Sequence, residues 1–316
     1  MNACFVGIDV SKATLDVGFC PDVLKPFQLK NDPEGFAQLI ACLNEFEVGR
    51  VVLEATGGYE KAVFTALRME GLNVVRVNPK RPHDYAKAMG KLAKTDKIDA
   101  LMLAKFAEQL DSTSKVEPSP ERDRLGELVK LRDQFVQHRD DDKRRLKQAN
   151  CAEAIAVYTH HIAYLNAQIK ELGKSIESAM KSLDCEKTRR LRSVKGIGLI
   201  TCAAFMAHLP ELGTLTGREI AALAGLAPYN NDSGRKSGPR RIEGGRYRVR
   251  CAAYMSIWSM IRYAPEFKAR YDDLIARGKR AKVAAVACMR VLLVRLNAML
   301  RDGTEWIVQP HQAPAA

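Results

Sequence analysis

The chain has 316 residues, 47% of them hydrophobic, which is enough to build more than one folded core. No apolar stretch reaches the ~18 uninterrupted residues of a membrane helix, and the first residues lack the pattern of a signal peptide, so we expect a cytosolic protein without a membrane partner. Eight cysteines without a CxxC pair predict buried apolar thiols and argue against disulfides and zinc.

The positive charge is concentrated toward the C-terminus. Residues 1–110 carry 14 Lys+Arg and 14 Asp+Glu, and residues 111–185 carry 13 of each, whereas residues 186–316 carry 23 and 10. A one-sided excess of this kind is typical of nucleic-acid binding, because neutralised phosphates release their condensed counterions. A solvated basic surface without a partner is the alternative.

The N-terminal third predicts a mixed sheet with helices packed on it. Short strand-like runs that follow one another closely are typical of antiparallel hairpins, and Asp32 followed by Pro33 is a typical helix start. The uninterrupted apolar run at 51–53 predicts a strand covered on both faces. In chain order we predict strands at 4–10, 15–20 and 27–30, a helix from Asp32, a strand at 51–53, a helix near 59–69, a strand at 74–77 and a helix near 96–110.

Pro118 and Pro120 mark a boundary, after which a charged helix is predicted to run to about residue 148. Behind it, apolar residues spaced alternately by three and four extend from Ile155 to Leu183. Residues 119–184 are therefore predicted to be an antiparallel helical hairpin, a coiled-coil dimer, or both. The last third is predicted to be helical, with a Gly- and Arg-rich loop near 229–246, helices near 247–262, 265–276 and 280–301, and a disordered tail after Trp306.

Four carboxylates occupy positions where an unpaired charge is costly. Asp9 ends the first predicted strand and Glu54 ends the 51–53 run, while Asp96 and Asp99 lie three apart on one face of a predicted helix. Oxygen ligands of this kind suit a pair of Mg²⁺ ions acting on a phosphodiester. The alternatives are a salt bridge of Asp9 to Lys12 or another basic residue, an N-cap role for Asp96 and a favourable helix-dipole position for Asp99.

Two basic segments follow in the last third. Lys195, Gly196, Ile197 and Gly198 predict the turn of a helix-hairpin-helix, in which Lys195 and the two glycine backbones approach a phosphate; an ordinary helix–helix turn is the alternative. The second segment is a glycine-rich turn that predicts a phosphate-binding loop, with a solvated turn as the alternative. Its candidate nucleic-acid-binding residues are Arg235, Lys236, Arg240, Arg241 and Arg246.

The motifs GIDVSK (7–12), VLEATGGY (52–59) and AKTDKIDA (93–100) together resemble the DEDD-type insertion-sequence transposases of the IS110 group, with the Piv-like invertases and the bridge-RNA-guided serine recombinases. The resemblance extends over nearly the whole chain. It implies an N-terminal domain similar to the Holliday-junction resolvase RuvC, with a ribonuclease-H-like fold. It also implies that Asp9, Glu54, Asp96 and Asp99 are catalytic and bind Mg²⁺, or Mn²⁺ in its place.

The same resemblance extends to a serine. The family carries a nucleophilic serine in an SGxxxG…GGR pattern, which forms a covalent phosphoserine with DNA. Ser233 matches it through Gly234, Gly238 and the run 244–246, although Ser237 with Gly238 offers a second register. The resemblance further implies donor and target DNA as substrates, an element-encoded guide RNA, and a homo-oligomer, dimer or tetramer, whose subunits share composite sites in the bacterial cytoplasm at the nucleoid.

We therefore expect an α/β plus α protein. The predicted parts are a RuvC-like DEDD domain at 1–112, a coiled-coil linker at 113–186, a basic helical transposase domain with a helix-hairpin-helix and the catalytic serine at 187–304, and a disordered tail at 305–316. The predicted function is a transposase or site-specific recombinase. A RuvC-like structure-specific endonuclease using water as nucleophile and a non-enzymatic DNA-bridging protein are the alternatives.

Overall fold

The computed structural model describes residues 3–90, 95–110, 119–230, 232–233, 236–238 and 240–308. The chain forms two compact units, Met1–Pro118 and Ser119–Ala316. The boundary falls at the predicted proline pair, and the predicted linker 113–186 starts in the first unit and continues into the second. The finer division into four parts stays a prediction, and the tail beyond residue 308 lies outside the described residues.

The first unit contains a five-stranded mixed sheet in the order β3-β2-β1-β4-β5. Strands β1 to β3 pair antiparallel, whereas β1, β4 and β5 run parallel. This confirms the predicted mixed α/β architecture; helix α3 was not predicted. The elements are β1 (Cys4–Val10), β2 (Thr14–Cys20), β3 (Phe27–Lys30), α1 (Pro33–Leu43), β4 (Val48–Glu54), α2 (Lys61–Met69), β5 (Val74–Val77), α3 (Lys80–Ala88) and α4 (Asp96–Gln109).

The two faces of this sheet are covered by different helices. Val6, Ile8 and Val10 of β1 pack in one cluster with residues of α1 and α2. On the other face, Val52, Val75 and Val77 pack against three residues of α4, Leu103, Phe106 and Ala107. The uninterrupted apolar run at 51–53 is thus buried on both faces, as predicted.

Two glycines allow helix α4 to lie directly on the strands. Gly7 and Gly18 are cross-strand partners in β1 and β2. A Cβ atom at Gly7 would lie 2.2 Å from the carbonyl oxygen of Ala100, and one at Gly18 would lie 2.8 Å from the backbone nitrogen of Leu101. Only a residue without a side chain fits at these two positions, so they fix where α4 crosses the sheet.

The second unit is mainly helical and is built around its last helix. Helix α12 (Ala281–Arg301) is apolar and long enough to cross a membrane by length and composition, but it is half buried within the unit. Its Asn297 accepts a hydrogen bond from the Gly213 N–H and donates one to the Leu215 carbonyl, as expected of a core helix. The elements are α5 (Pro120–Leu146), α6 (Ala152–Leu183), α7 (Cys185–Ser193), α8 (Leu199–His208), α9 (Gly217–Leu223), β6 (Pro228–Tyr229), β7 (Asp232–Ser233), β8 (Lys236–Ser237), β9 (Arg241–Ile242), α10 (Tyr247–Tyr263), α11 (Pro265–Ala276) and α12 (Ala281–Arg301).

Helices α5 and α6 pair antiparallel. The Asp142 carboxylate near the end of α5 lies 2.6 Å from Nδ1 of His161 near the start of α6, while Leu125 at the opposite end shares a core cluster with Ile176 and Met180. The structure therefore contains the predicted hairpin; a coiled-coil assembly between chains stays a prediction.

The eight cysteines were all predicted to be buried. This prediction is wrong for three of them, Cys151, Cys185 and Cys251, which are exposed.

Candidate active site

Asp9 and Glu54 are neighbours on adjacent parallel strands. Asp9 lies two residues beyond Gly7, so its side chain is on the face of the sheet that α4 covers. Glu54 lies two residues beyond Val52 on that same face. Gly7 pairs with Val52, and the next pair along the two strands is Ile8 with Leu53. The same register therefore brings Asp9 level with Glu54. Adjacent strands are ~4.8 Å apart, which puts the two half-buried carboxylates side by side.

Asp96 and Asp99 lie in the first turn of α4, the helix that covers these strand ends. The N-cap is Thr95, whose hydroxyl oxygen accepts a hydrogen bond from the Ile98 N–H at 3.3 Å. The alternative that Asp96 caps the helix is therefore wrong. Asp96 is exposed and Asp99 is half-buried, directly before the alanine that packs on Gly7.

A fifth carboxylate, Asp16, was missed in the sequence. It is the cross-strand partner of Asp9 and only 4% exposed. Both of its carboxylate oxygens accept hydrogen bonds from Nε2 of Gln28, at 3.0 Å each. The signal was the polar residue inside an otherwise apolar predicted strand. Asp16, Asp9 and Glu54 thus form one line across three strands, which we call the acid row.

The acid row and the start of α4 influence the Asp9 carboxyl electrostatically. Burial raises the pKa of Asp9, and the nearby carboxylates of Asp99, Asp96 and Asp16 raise it further. The predicted alternative, a salt bridge to Lys12, is absent, and within the described ranges no cation forms an ion pair with Asp9. A negatively charged Asp9 is therefore left to repel its acidic neighbours.

The donor set fits a hard divalent cation, because all the candidate ligands are carboxylate oxygens. In the part of the chain that the structure describes, no three His, Cys, Asp or Glu side chains are close enough to hold an ion as they stand. Adding a divalent cation would remove the repulsion that raises the pKa of Asp9.

Ser233 lies in the second unit, on a two-strand antiparallel ladder. Its Cα pairs with that of Lys236, and Ser237 pairs with Asp232, so the two candidate serines lie on opposite strands of one ladder. Arg235 and Gly234 fall outside the described residues. Arg240 and Arg241 are exposed, and Arg241 pairs with Tyr229 in a second short ladder. The predicted glycine-rich turn therefore contains local β structure, which its composition did not indicate.

Arg246 has protein partners. Its guanidinium donates hydrogen bonds to both carboxylate oxygens of Glu211, at 2.5 and 2.6 Å, and to the His208 carbonyl at 3.0 Å. Next to it, a Cβ atom on Gly245 would lie 2.1 Å from the backbone nitrogen of Gly225. The Gly-Gly-Arg run thus fastens the end of the basic loop to the body of the unit. Sequence reasoning assigned Arg246 to a phosphate because its partner lies 35 positions away.

The predicted helix-hairpin-helix turn joins α7 to α8. Gly196 has a φ of +98°, a left-handed conformation that favours glycine. Gly198 is the N-cap of α8, and a Cβ added there would meet open space. Lys195 is exposed, with its Nζ 5.8 Å from the centroid of the Tyr263 ring. A helix start with an open approach and a neighbouring lysine is an arrangement that suits a phosphate.

Comparisons with known proteins agree with this arrangement. A family model described as a transposase, of the DEDD type found in IS110 elements, matches residues 6–149. A second, described as the transposase IS116/IS110/IS902 family, matches residues 188–272. The pilin gene-inverting protein of Moraxella lacunata is 26% identical over 332 residues, which cover 99% of this chain and all of that protein.

Two shorter matches come from insertion elements. The IS900 uncharacterized 42 kDa protein of Mycobacterium paratuberculosis is 33% identical over 167 residues, 49% of this chain and 39% of that protein. The transposase for IS1111A of Coxiella burnetii is 24% identical over 234 residues, 63% of this chain and 62% of that protein.

The mixed sheet with its acid row and the two family matches define an enzyme class, the DNA recombinases and transposases. DEDD nuclease domains of this class use divalent metal ions. The chain belongs to the IS110 family of DEDD transposases.

Proposed function

We propose that this protein cuts and rejoins DNA strands at the ends of an insertion sequence, using Mg²⁺ and a serine nucleophile. The observation that carries the proposal is the alignment of Asp9 with Glu54 on adjacent strands, beneath the helix that begins with Asp96 and Asp99. The proposal that the first unit has a RuvC-like fold is supported by the same placement of acidic residues and by the order of the strands in the sheet. A protein that only bridges DNA has no use for such a costly group of acids.

Asp9 and Glu54 would hold the metal from the sheet, and Asp96 and Asp99 from the helix. When bound, a pair of Mg²⁺ or Mn²⁺ ions supplies charge neutralisation at the attacked phosphate and lowers the pKa of an attacking hydroxyl. The half-buried setting of Asp9 excludes part of the surrounding water and so strengthens its pull on a cation. Asp16, held by Gln28, adds negative charge to the same place.

Ser233 is proposed as the nucleophile. Its Oγ forms a bond to phosphorus, the phosphorus–oxygen bond to one deoxyribose breaks, and the freed sugar hydroxyl takes up the serine proton. Attack by a sugar hydroxyl of the second strand reverses these events, restores Ser233 and closes the new phosphodiester. The sequence around Ser233 supports this role, because the exposed Arg240 and Arg241 follow it within eight residues and guanidinium groups hold phosphates.

Covalent trapping tests the nucleophile. End-labelled element-end DNA is incubated with full-length protein and Mg²⁺, and adducts are separated on a denaturing gel. Ser233→Ala should abolish the adduct and the cutting, whereas the matched control Ser237→Ala should keep both. Asp9→Asn should also abolish both. Cutting by Ser233→Ala without an adduct would favour the endonuclease alternative, and unimpaired joining by Asp9→Asn would favour the bridging protein.

A guide RNA and a homo-oligomer complete the proposal, for a protein acting on nucleoid DNA in the bacterial cytoplasm. Residues 186–316 carry 23 basic and 10 acidic residues. This excess of positive charge supports the binding of a second polyanion, an RNA, besides DNA. The test is sequencing of the nucleic acid that co-purifies with the protein after a high-salt wash. A discrete noncoding RNA encoded beside the gene is expected, and a random sample of cellular RNA would contradict the guided mechanism.

A further inference from the structure

A cavity of about 590 Å³ lies in the second unit, along α10 and the start of α11. Its volume falls within the ~300–1,000 Å³ range typical of small-ligand sites. Two aromatic side chains contribute to it while remaining open to solvent: Trp258 is 38% exposed and Tyr263 is 55% exposed. The lining residues are Trp258, Ser259, Ile261, Arg262, Tyr263 and Lys268.

Trp258 is held in a fixed orientation although it is exposed. Its ring lies nearly perpendicular to that of Tyr254, with 5.8 Å between centroids, and tilted by 68° against that of Tyr271 at 6.0 Å. Such edge-to-face contacts are favourable beyond the area they bury. A ring that is already ordered loses little conformational freedom when another planar group stacks on it. Trp258 is therefore a prepared stacking surface.

The surroundings of this cavity are cationic. The Arg262 guanidinium lies 6.0 Å from the Tyr263 ring centroid, and Nζ of Lys195 lies 5.8 Å from the same centroid. Among the described residues, those lining the cavity include two cations and no carboxylate. The ligand that complements such a site carries negative charge and a planar aromatic part, which is the chemistry of a nucleotide.

The turn between α7 and α8 reaches the edge of the cavity through Lys195, whose Nζ lies close to the ring of the lining residue Tyr263. A Cβ atom on Gly196 would lie 2.5 Å from Cγ of Met260, so the turn packs directly on α10. The same turn carries Lys195 and ends at Gly198, the N-cap of α8, which has no side-chain cap. A lysine suited to a phosphate thus lies against an aromatic residue of the cavity whose Trp258 is suited to a base.

We propose that this cavity binds an unpaired nucleotide of the DNA substrate, with its base stacked on Trp258 and its phosphate near Lys195 and Arg262. A paired base has both faces covered by its neighbours in the duplex, so only a displaced base is able to stack here. Strand exchange separates the two strands and supplies such a base. The inference rests on the proposed function only in taking DNA as the ligand.

The test uses intrinsic fluorescence of the full-length protein, without metal and after removal of co-purified nucleic acid. The chain has two tryptophans, and Trp306 stacks on Phe267 away from the cavity lining, so the Trp306→Phe variant reports Trp258 alone. Single-stranded dT12 should quench this fluorescence saturably, whereas a 12-base-pair duplex should not. Absence of quenching by dT12 overturns the proposal, as does equal quenching by the duplex.

Affinity measurements give the second readout. With fluorescein-labelled dT12, Trp258→Leu should weaken binding at least about fivefold, while Trp258→Phe keeps most of the affinity. Tyr164→Leu, which removes an exposed aromatic ring from α6, is the matched control and should change nothing. Unchanged affinity of Trp258→Leu for dT12 contradicts the proposal, and stronger binding and quenching by rU12 than by dT12 would assign the cavity to RNA instead. Because no strand is cut, these outcomes do not depend on whether Ser233 is the nucleophile.

Discussion

At the scale of single residues, Asp9 combines a functional position with a cost in stability. Its pKa is raised, so its charged form is disfavoured in the folded protein relative to the unfolded chain. That free-energy penalty is absent at pH values below the ordinary aspartate pKa of 3.8, grows as the pH rises toward the raised pKa of Asp9 and stays constant above it. Asp9→Asn should therefore raise the melting temperature at pH 7 in EDTA, and lower DNA cutting by more than about 100-fold.

Thermal unfolding at pH 7 and pH 4 measures the effect of Asp9→Asn. The gain in melting temperature should shrink at the lower pH, because pH 4 lies just above the ordinary pKa of 3.8, where the penalty has only begun to grow. Asp22→Asn, a change at an exposed carboxylate of the same unit, is the control and should have little effect at either pH. A pH-independent gain, or none, would show that charge repulsion at Asp9 is not its cause.

Arg246 and Arg241 separate two roles that basic residues have in the loop. Arg246 is paired with Glu211, so Arg246→Ala should lower the free energy of unfolding by about 1–3 kcal/mol. Arg241 is exposed, so Arg241→Ala should change stability by less than about 0.5 kcal/mol and instead reduce the salt dependence of DNA affinity by about one phosphate contact. Denaturant titration measures the change in stability, and binding isotherms at several salt concentrations measure the change in DNA affinity. A stable Arg246→Ala with a weaker salt dependence, or an Arg241→Ala that only loses stability, would contradict the prediction.

At the scale of elements, the close approach of α4 to the sheet depends on Gly7. A methyl group there would collide with backbone atoms, 2.2 Å from the Ala100 oxygen and 2.3 Å from the Ala104 nitrogen, which have no freedom to move aside. Gly7→Ala should destabilise the first unit by about 3 kcal/mol and displace Asp99 from Asp9. Gly173→Ala, in open space on α6, is the control and should be neutral or slightly stabilising. Equal stability of the two variants in urea would contradict the packing argument.

The sequence was sufficient to predict elements whose signals are local. Asp32 does cap α1, accepting a hydrogen bond from the Gly35 N–H at 2.8 Å, and α4 begins at the predicted residue. Asp16 stood out only as a polar residue in an apolar strand, and its place beside Asp9 depends on strand register, which the sequence does not show. The Ser11 hydroxyl sets that register by accepting the Thr14 N–H at 2.8 Å, and a slip of one residue would send Asp16 to the other face.

The unit containing Ser233 was harder to predict for a different reason. The ladders that hold Ser233 and Arg241 are two residues long on each strand, too short to give an alternating pattern in the sequence. The pairing of Arg246 with Glu211 was not predicted, because an ion pair between distant positions leaves no trace in spacing. The motifs identified the four candidate acids, whereas only the fold shows that Asp9 and Glu54 lie on the same face of the sheet.

At the scale of the whole molecule, the helical hairpin has two halves with different surroundings. The later part of the apolar stripe on α6, including Ile176 and Ala179, is buried in the core of the second unit. The early part is not covered: Ile155 is 42% exposed and Tyr158 is partly exposed. A stripe of heptad spacing whose outer half is uncovered predicts association with another chain.

Replacing Ile155 and Tyr158 with Glu should lower the oligomeric state, because two charges would have to be desolvated in the predicted interface. Light scattering during size-exclusion chromatography at a fixed protein concentration gives the mass. Lys170→Glu, which introduces the same charge at an exposed site of the same helix, should leave the mass unchanged. The double variant should still bind dT12, since the cavity at Trp258 lies within one chain, but joining of two DNA ends should fall with the mass. Joining that survives dissociation would show that one chain handles both ends, and the hairpin would then serve only to stabilise the second unit.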